Sequence, residues 1–384
     1  MPSALLSGQE LYLGVDAGGT AVKVVVVRKS DGAIGRAEGG PCNVKSVGPE
    51  GAMERIVKAS WAALRDLPGP LLLPIDKVDP EPLHLELFAR VWLGVAGLLR
   101  PTEVDAFRPF ACRAFGFALD DERLRITNDG HLLAAPAVAV PEISSTVVLV
   151  AGTGSVSLAF RKHGHDLELV GLSGGWGYLI GDEGSAFCVG RLAIQRLMLD
   201  ADAAQSRSFV DSTQSARKAG TPSATLPLFS RLLDRLDVAG PAELIDQIYS
   251  DQSQTSTPST FSTAETRRKL WIASGSRVVF EHAFERSDVD AESRRIALEI
   301  LDEAVIPLVD AAVRLVGDRS VVDPSHGSLS LGGGLWNSEG YVALLLDKLK
   351  AQGVEFAQVS VVRSAAEEGA RALVLLDGTD TRIL

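Results

Sequence analysis

The sequence predicts an α/β protein built from two related halves. Its 384 residues exceed one ordinary core, so two domains of roughly 150 to 200 residues are expected. An apolar strand, a glycine-containing turn and a second apolar strand occupy residues 11–27, and the same pattern returns at 146–160. Such a repeat indicates two similar units facing each other. Because glycine hairpins are common, a chance likeness is the alternative.

The first half predicts a hairpin followed by alternating helices and strands. The hairpin spans residues 11–27 around the turn Asp16–Thr20, and DGAIG (31–35) marks a further turn before a short strand. The segment GPEGAMERIVKASWAAL predicts a helix with one apolar face formed by Ile56, Ala59, Ala63 and Leu64. Residues 91–97 and 123–129 each predict a strand, and the second precedes an Ala-rich helical stretch.

The second half begins with the strands of 146–160 and is then mostly helical from 183 to about 316. Helical spacing is clearest at 290–316, where Pro307 should kink or divide the helix. Two polar stretches, 203–223 and 250–265, predict surface loops.

The C-terminal part of the sequence predicts one more strand and one more helix. Residues 328–336, SLSLGGGLW, read as a strand that runs into a glycine turn. A final helix is expected over roughly 364–376.

Composition excludes several classes of partner. The net charge is -11 and no basic block occurs, which argues against nucleic acid and against an anionic membrane as the main partner. Backbone N–H groups and a divalent cation can still hold a phosphorylated ligand. Cys42, Cys112 and Cys188 form no motif, so a reducing compartment is expected. The chain has no uninterrupted apolar stretch of about 20 residues and no signal-peptide pattern at its start, so we expect a cytoplasmic protein.

Three glycine turns stand at strand ends, at residues 16–20 (DAGGT), 151–155 (AGTGS) and 332–334 (GGG). Glycine permits positive φ and lets a ligand touch the backbone without an intervening Cβ, and successive N–H groups there can bind an anion. A single glycine turn is better explained as a tight structural hairpin. Three such turns in one chain instead favour a binding site for a polyphosphate ligand. Neither a Walker loop nor a dinucleotide-binding GxGxxG follows the first strand.

Two carboxylates and one glycine-rich segment complete the candidate chemistry. Asp16 lies at the first turn and Asp129 directly follows a strand, where turn formation or helix capping is the structural alternative. Phosphoryl transfer needs a cation near the phosphates and a carboxylate beside the attacking hydroxyl. The segment 171–197 is rich in glycine, with Trp176, Asp182 and Glu183 among glycines 174, 175, 177, 181 and 184, which suits a sugar site or, alternatively, a structural loop before a helix.

These motifs resemble those of the N-acetylglucosamine kinases. GVDAGGT, ITND, AGTGS, GGWGYLIGDEGSA and SLGGG occur in that family's order, and the likeness spans about 11–375. The family is the sugar-kinase branch of the actin-like (Hsp70/hexokinase) ATPase superfamily, grouped with BadF/BadG-type ATPases. The resemblance implies two RNase-H-like α/β domains around a central cleft for nucleotide and sugar, with ATP and Mg²⁺ as cofactors.

The resemblance also implies a role for each matching residue. Asp129 matches the general base toward the sugar O6, and Asp16 matches the acid that orients Mg²⁺ through water. The implied nucleotide contacts are Gly18, Gly19, Thr20, Thr153, Gly154, Gly333 and Gly334. The implied sugar contacts, besides Asp129, are Asn43, Gly174, Gly175 and Asp182.

The expected organisation follows from the same resemblance. It implies an N-terminal domain over 1–130, a C-terminal domain over 131–365 with helical and polar-loop insertions, and a helix within 366–384 that returns to the first domain. A homodimer is also implied.

The leading hypothesis is ATP-dependent phosphorylation of N-acetyl-D-glucosamine at O6, giving N-acetylglucosamine 6-phosphate and ADP. One alternative is a glucosamine kinase without the N-acetyl requirement. Another is an ATP-driven activator of a reductase or dehydratase, whose iron–sulfur cluster would need cysteines in an arrangement that this sequence does not show. A non-catalytic sugar sensor on the same fold is the last alternative.

Overall fold

The computed structural model describes residues 10–69, 87–138, 140–214, 226–249 and 261–379. Two five-stranded sheets organise these residues, one in each half of the chain. None of the helices in these ranges combines the length and the hydropathy needed to cross a bilayer.

The first sheet has the strand order β3-β2-β1-β4-β5. β1, β2 and β3 form an antiparallel meander, and β4 and β5 run parallel to β1. The strands are β1 (Leu11–Ala17), β2 (Val22–Arg28), β3 (Ile34–Gly39), β4 (Arg90–Val95) and β5 (Leu124–Thr127).

Helices cover both faces of this sheet. Because side chains alternate along a strand, Leu13 and Val15 of β1 pack with α1 (Val44–Asp66) and α2 (Pro101–Phe115) in one core. Tyr12 lies on the opposite face, in a second cluster of buried residues. The predicted apolar face of α1 is confirmed, since Ile56, Ala59, Ala63 and Leu64 are all buried.

The second sheet repeats the topology of the first. Its order is β10-β9-β6-β7-β8, with β6, β7 and β8 antiparallel and β9 and β10 parallel to β6. The predicted relation between the two halves is therefore confirmed at the level of topology. The strands are β6 (Ser145–Ala151), β7 (Ser155–His163), β8 (Asp166–Gly174), β9 (Gly327–Gly332) and β10 (Gln358–Val362).

Two short helices connect the halves, and the second half is rich in longer helices. The connecting helices are α3 (Gly130–Leu133) and α4 (Ala135–Val138). The others are α5 (Ala186–Gln214), α6 (Pro227–Leu236), α7 (Pro241–Tyr249), α8 (Phe261–Ser274), α9 (Ser276–Phe280), α10 (Ala291–Val316), α11 (Glu339–Ala351) and α12 (Ala365–Thr379).

Two details differ from the sequence-based expectations. Helix α10 runs undivided through Pro307, because buried residues on both sides, such as Val305 and Leu308, hold it against the core despite the missing N–H donor. The polar residues 203–214 and 261–265 are helical rather than loops, since polar composition does not distinguish a solvated helix from a loop. Residues 215–223 and 250–260 lie outside the described residues.

Helix α12 covers the second face of the first sheet. A Cβ on Gly14 of β1 would collide with the Ala366 carbonyl oxygen, so helix and strand backbones are in direct contact. At the far end, the Tyr12 hydroxyl donates to Asp377 over 2.5 Å, and Arg90 donates to the same carboxylate over 3.1 Å. The end of the described chain is thus anchored on its first strand.

Candidate active site

The turn between β1 and β2 is open to a ligand. Gly18 N–H donates to the Ala21 carbonyl over 3.0 Å, and the Gly18 carbonyl accepts from Cys42 N–H over 2.9 Å. Gly19 and Thr20 are exposed, and a Cβ on Gly19 would meet nothing within 4 Å. Neither Gly18 nor Gly19 adopts positive φ. The glycines therefore leave space at this turn rather than supply an unusual backbone conformation.

Asp16 and Asp129 meet at one edge of the first sheet. Asp16 is in register with Gly94 of β4, and Gly94 is in register with Thr127 at the end of β5. A Cβ on Gly94 would lie 3.1 Å from the Cα of Asp129. The glycine thus lets the segment after β5 approach β4, and it brings two half-buried carboxylates together.

Burial, and then the negative charge of Asp129, raise the pKa of Asp16 to about 6. Burial also raises the pKa of Asp129, against the effect of hydrogen bonds from Gly130 N–H and Asn128. Within the described part of the chain, the Asp16 carboxylate accepts no hydrogen bond. Strongly perturbed carboxyls in such a position are typical of functional sites.

The residues at this edge fit a magnesium ion bound mainly by phosphate and water. Among the described residues no group of three or more His, Cys, Asp or Glu side chains could form an all-protein metal cage. Mg²⁺ commonly uses one or two carboxylates and completes its octahedron with substrate phosphates and water. Asp16 supplies an unpartnered carboxylate of this kind, and a cation there would relieve its repulsion with Asp129.

Asn43 is held beside the end of β4. Its side-chain oxygen accepts from Lys45 N–H over 2.9 Å and caps α1. Gly97 has φ 95°, and a Cβ there would lie 2.7 Å from the Asn43 Oδ1. Val44 N–H donates to the Ala96 carbonyl over 3.1 Å, which fixes the two segments together. Asn43 thus belongs to the same edge of the first sheet as Asp16 and Asp129.

The turn between β6 and β7 lies against the end of β9. Gly152 N–H donates to the Gly154 carbonyl over 3.0 Å, while Thr153 is exposed at the tip. Gly333 has φ 101°, and a Cβ there would lie 2.6 Å from the Ala151 carbonyl oxygen. Two of the three predicted glycine turns are therefore adjacent in space.

Gly174 ends β8 and Gly175 follows it, beside the same turn. Both have positive φ, 83° and 76°, and Gly175 N–H donates to the Ser155 carbonyl over 3.1 Å. Here the left-handed backbone does require glycine. These two predicted sugar contacts therefore adjoin the turn that carries the predicted phosphate contacts Thr153 and Gly154.

The Asp182 carboxylate is only 5% exposed and has partners inside the protein. Its Oδ1 accepts from Ser155 N–H over 3.1 Å, and its Oδ2 forms an ion pair with Lys269 over 2.7 Å. A Cβ on Gly154 would lie 2.8 Å from both oxygens. The structure therefore places Asp182 directly behind the β6–β7 turn.

Helix α3, which begins after Asp129, links the two groups of residues. A Cβ on Gly130 would lie 2.5 Å from Leu158 of β7, and a Cβ on Gly332 of β9 would lie 2.8 Å from Leu133. His131 stacks edge-on against Phe160, with ring centroids 4.7 Å apart. Strands β7 and β9 of the second sheet therefore pack against the segment that directly follows Asp129.

Sequence reasoning missed three residues of this region. Gly94 and Gly97 lie in the predicted strand 91–97 and received no role there, yet the lack of a Cβ at each leaves room for Asp129 and Asn43. Lys269 lies 87 positions from its partner Asp182, so no local pattern indicated that the two would meet.

Each half of the described chain thus holds a five-stranded α/β sheet of the same topology, and the segment after Asp129 packs on the second sheet. The BadF/BadG/BcrA/BcrD ATPase family matches residues 13–373. The chain belongs to this family, which supports ATP as its nucleotide and confirms the family expected from the motifs.

Similarity to curated relatives is modest and partial. An N-acetyl-D-glucosamine kinase of Dictyostelium discoideum is 26% identical over 183 residues, which cover 47% of this chain and 52% of the relative. An N-acetylmuramic acid/N-acetylglucosamine kinase of Clostridium acetobutylicum is 30% identical over 118 residues, 31% of this chain and 35% of the relative. The chain thus spans about half or less of the length of these relatives.

A solved structure supports the fold along nearly the whole chain. The crystal structure of a protein from Chromobacterium violaceum, provisionally named N-acetylglucosamine kinase, matches with a TM-score of 0.56 at 20% identity. The match covers 95% of this chain and 99% of that protein. It confirms the two-domain α/β fold expected from the sequence.

Proposed function

We propose that this protein phosphorylates N-acetyl-D-glucosamine at O6, using ATP and producing N-acetylglucosamine 6-phosphate and ADP. One observation carries the proposal: Gly94 brings Asp129 close to Asp16, and the helix that follows Asp129 packs on the second sheet. Curated relatives that act on N-acetylglucosamine support the substrate class. The proposal is that of a cytoplasmic enzyme with the domain boundaries 1–130, 131–365 and 366–384.

Asp129 is the proposed general base. The sugar O6–H donates its proton to the Asp129 carboxylate while O6 attacks the γ-phosphorus, and the bond to the ADP oxygen breaks in line. Burial raises the pKa of Asp129, which brings its basicity closer to the operating pH and favours proton transfer. Its place after β5, beside the turns, suits a group that must reach both substrates.

The remaining residues are proposed to bind either the nucleotide with its metal ion or the sugar. Asp16 would hold Mg²⁺, which neutralises phosphate charge when bound. The turns at Gly18, Gly19 and Thr20, at Thr153 and Gly154, and at Gly333 and Gly334 are proposed to hold the nucleotide through backbone N–H groups. Asn43, Gly174 and Gly175 are the proposed sugar contacts besides Asp129. Asp182 was also expected to contact the sugar, but both of its oxygens have protein partners, so we assign it to the β6–β7 turn instead. A homodimer, implied by the family, stays a prediction.

An ADP-release assay with a panel of sugars tests the function. We expect activity with N-acetylglucosamine above that with glucosamine, N-acetylmannosamine, glucose or no sugar. The position of the new phosphate is then read from ³¹P–¹H coupling to the C6 protons of the product. Activity highest with glucosamine would replace the proposed substrate, and sugar-independent ATP hydrolysis alone would favour the activator.

The cysteines bear on the activator alternative. Cys42, Cys112 and Cys188 are all free and buried. The thiols of Cys42 and Cys112 donate to backbone carbonyls of Ala52 and Ala118, and that of Cys188 donates to Glu183. Each thiol thus has a partner within the fold, as expected of structural cysteines.

A further inference from the structure

We propose that Lys269 is a positioning residue for nucleotide phosphates, acting through Asp182 on the β6–β7 turn. This inference rests on the phosphate-binding role given above to that turn. None of the three glycine turns contains a lysine or arginine. The structure brings a cation to the second turn from helix α8, far away in the sequence.

The ion pair is well placed to control the turn. The Lys269 side chain is 23% exposed, and its ammonium lies 2.7 Å from the Asp182 Oδ2. The other carboxylate oxygen orients Ser155 N–H, and both oxygens lie directly behind Gly154. Lysine, carboxylate and turn therefore form one connected unit.

Rigid packing fixes the helix that carries the lysine. Gly190 of α5 allows direct backbone contact with α8, because a Cβ there would collide with the Ile272 carbonyl oxygen. Helix α5, which carries Gly190, begins four residues after Asp182, and Ile272 follows Lys269 by about one helical turn. The ammonium is thus presented to Asp182 by packed backbones rather than by a loop.

Charge explains why the pair matters for a phosphate ligand. An ionised Asp182 directly behind the turn would repel a polyphosphate in front of it, and this repulsion is poorly screened when the carboxylate is buried. Lys269 cancels that charge while leaving the carboxylate oxygen free to orient Ser155 N–H. Asp182 also has φ 60°, an uncommon conformation for a residue with a side chain, so the surrounding contacts must hold it in place.

Calorimetric binding of MgADP to the full chain tests this inference without any sugar. We expect Lys269→Met to weaken MgADP binding about tenfold or more, because it leaves one unpaired charge beside the phosphates. Lys269→Arg should restore most of the affinity. The double variant Lys269→Met/Asp182→Asn should also bind more tightly than Lys269→Met, since asparagine keeps an acceptor for Ser155 N–H without the charge.

Lys348→Met is the matched control, because Lys348 pairs with Asp302 over 2.7 Å outside the candidate site. It should bind MgADP within about twofold of the unmodified protein, as expected of a partly exposed pair. Unchanged affinity in Lys269→Met, or a double variant no better than it, would overturn the inference. If Lys269→Met does not fold, recovery of folding and binding in the double variant supports it, and failure to recover overturns it.

The sugar assay separates this inference from the proposed function. A protein that binds MgADP with the expected variant pattern but phosphorylates no sugar would retain the Lys269 role and lose the kinase assignment. If the protein phosphorylates a sugar and Lys269→Met binds MgADP as tightly as the unmodified protein, the kinase assignment is retained and the Lys269 role is lost.

Discussion

The carboxylate of Asp129 helps to raise the pKa of Asp16 to about 6, adding to the effect of burial. Asp16 lies on β1 and Asp129 follows β5, and the two come close because Gly94, on the strand between them, has no Cβ. An electrostatic cost is thus built into the site, and a cation held by Asp16 would offset it.

Asp16→Asn should stabilise the protein without ligands at pH 7.5 by roughly 2 kcal/mol. A carboxyl with a raised folded-state pKa binds its proton more tightly in the folded chain. The stabilising contribution of the protonated Asp16 carboxyl is therefore fully present below the ordinary pKa of 3.8. It is lost as the pH rises through about 6. Chemical unfolding from pH 5 to 7.5 measures this. A stability difference between variant and unmodified protein that stays constant with pH would contradict it.

For His131 we expect the opposite dependence of stability on pH. Burial, and then the charge of Arg125, lower its pKa to about 4, so its contribution is present above pH 6.5 and is lost as the pH falls toward 4. His131→Phe keeps an aromatic contact with Phe160 and removes the titration. Between pH 7 and 5 this variant should lose about 2 kcal/mol less stability than the unmodified protein. Parallel unfolding curves for the two proteins would count against the assignment.

Asp129→Asn should reduce kcat for sugar phosphorylation by about 10²-fold or more. The amide keeps the shape of the side chain but no longer accepts the O6 proton, so KM for both substrates should change little. Exposed Asp120, on the segment before β5, provides the control Asp120→Asn, which should leave kcat unchanged. Near-normal turnover in Asp129→Asn would remove this residue from the role of base.

Two substitutions separate the structural and functional roles of Asn43. Asn43→Ala should lower stability by about 1 kcal/mol, because α1 loses its cap, and should raise the KM for the sugar. Asn43→Ser keeps an oxygen for Lys45 N–H and should retain the stability while still raising the KM. Steady-state kinetics and thermal unfolding of both variants provide the comparison. A sugar KM that changes only when stability falls would make Asn43 purely structural.

Gly14→Ala should destabilise the protein by about 3 kcal/mol, the upper end of the usual cost of overpacking, because its Cβ meets backbone rather than a movable side chain. Gly240→Ala is the control, since its Cβ would meet nothing within 4 Å and its backbone needs no positive φ. Chemical unfolding measures both. Equal stability of the two variants would show that α12 yields easily to the added methyl group.

Elements with strong local signals were predictable from the sequence. Both hairpins and the α10 helix follow from apolar periodicity, and the strand ends at Asp16 and Asp129 follow from turn residues placed after buried runs. Two edge strands, β8 and β10, were not predicted, because their residues face solvent and carry no continuous apolar run. The meeting of Lys269 with Asp182 depends on helix packing at Gly190, which is a long-range property that no window of sequence contains.

The anchoring of α12 on β1 has a consequence for biosynthesis. β1, the first strand that the structure describes, receives its final cover from the last 15 residues that it describes. Until those residues leave the exit tunnel, the face of the N-terminal sheet that α12 covers remains exposed to solvent. Its apolar residues can then bind chaperones or aggregate. The later half, whose own sheet needs no such return, can complete its fold as soon as its strands are synthesised.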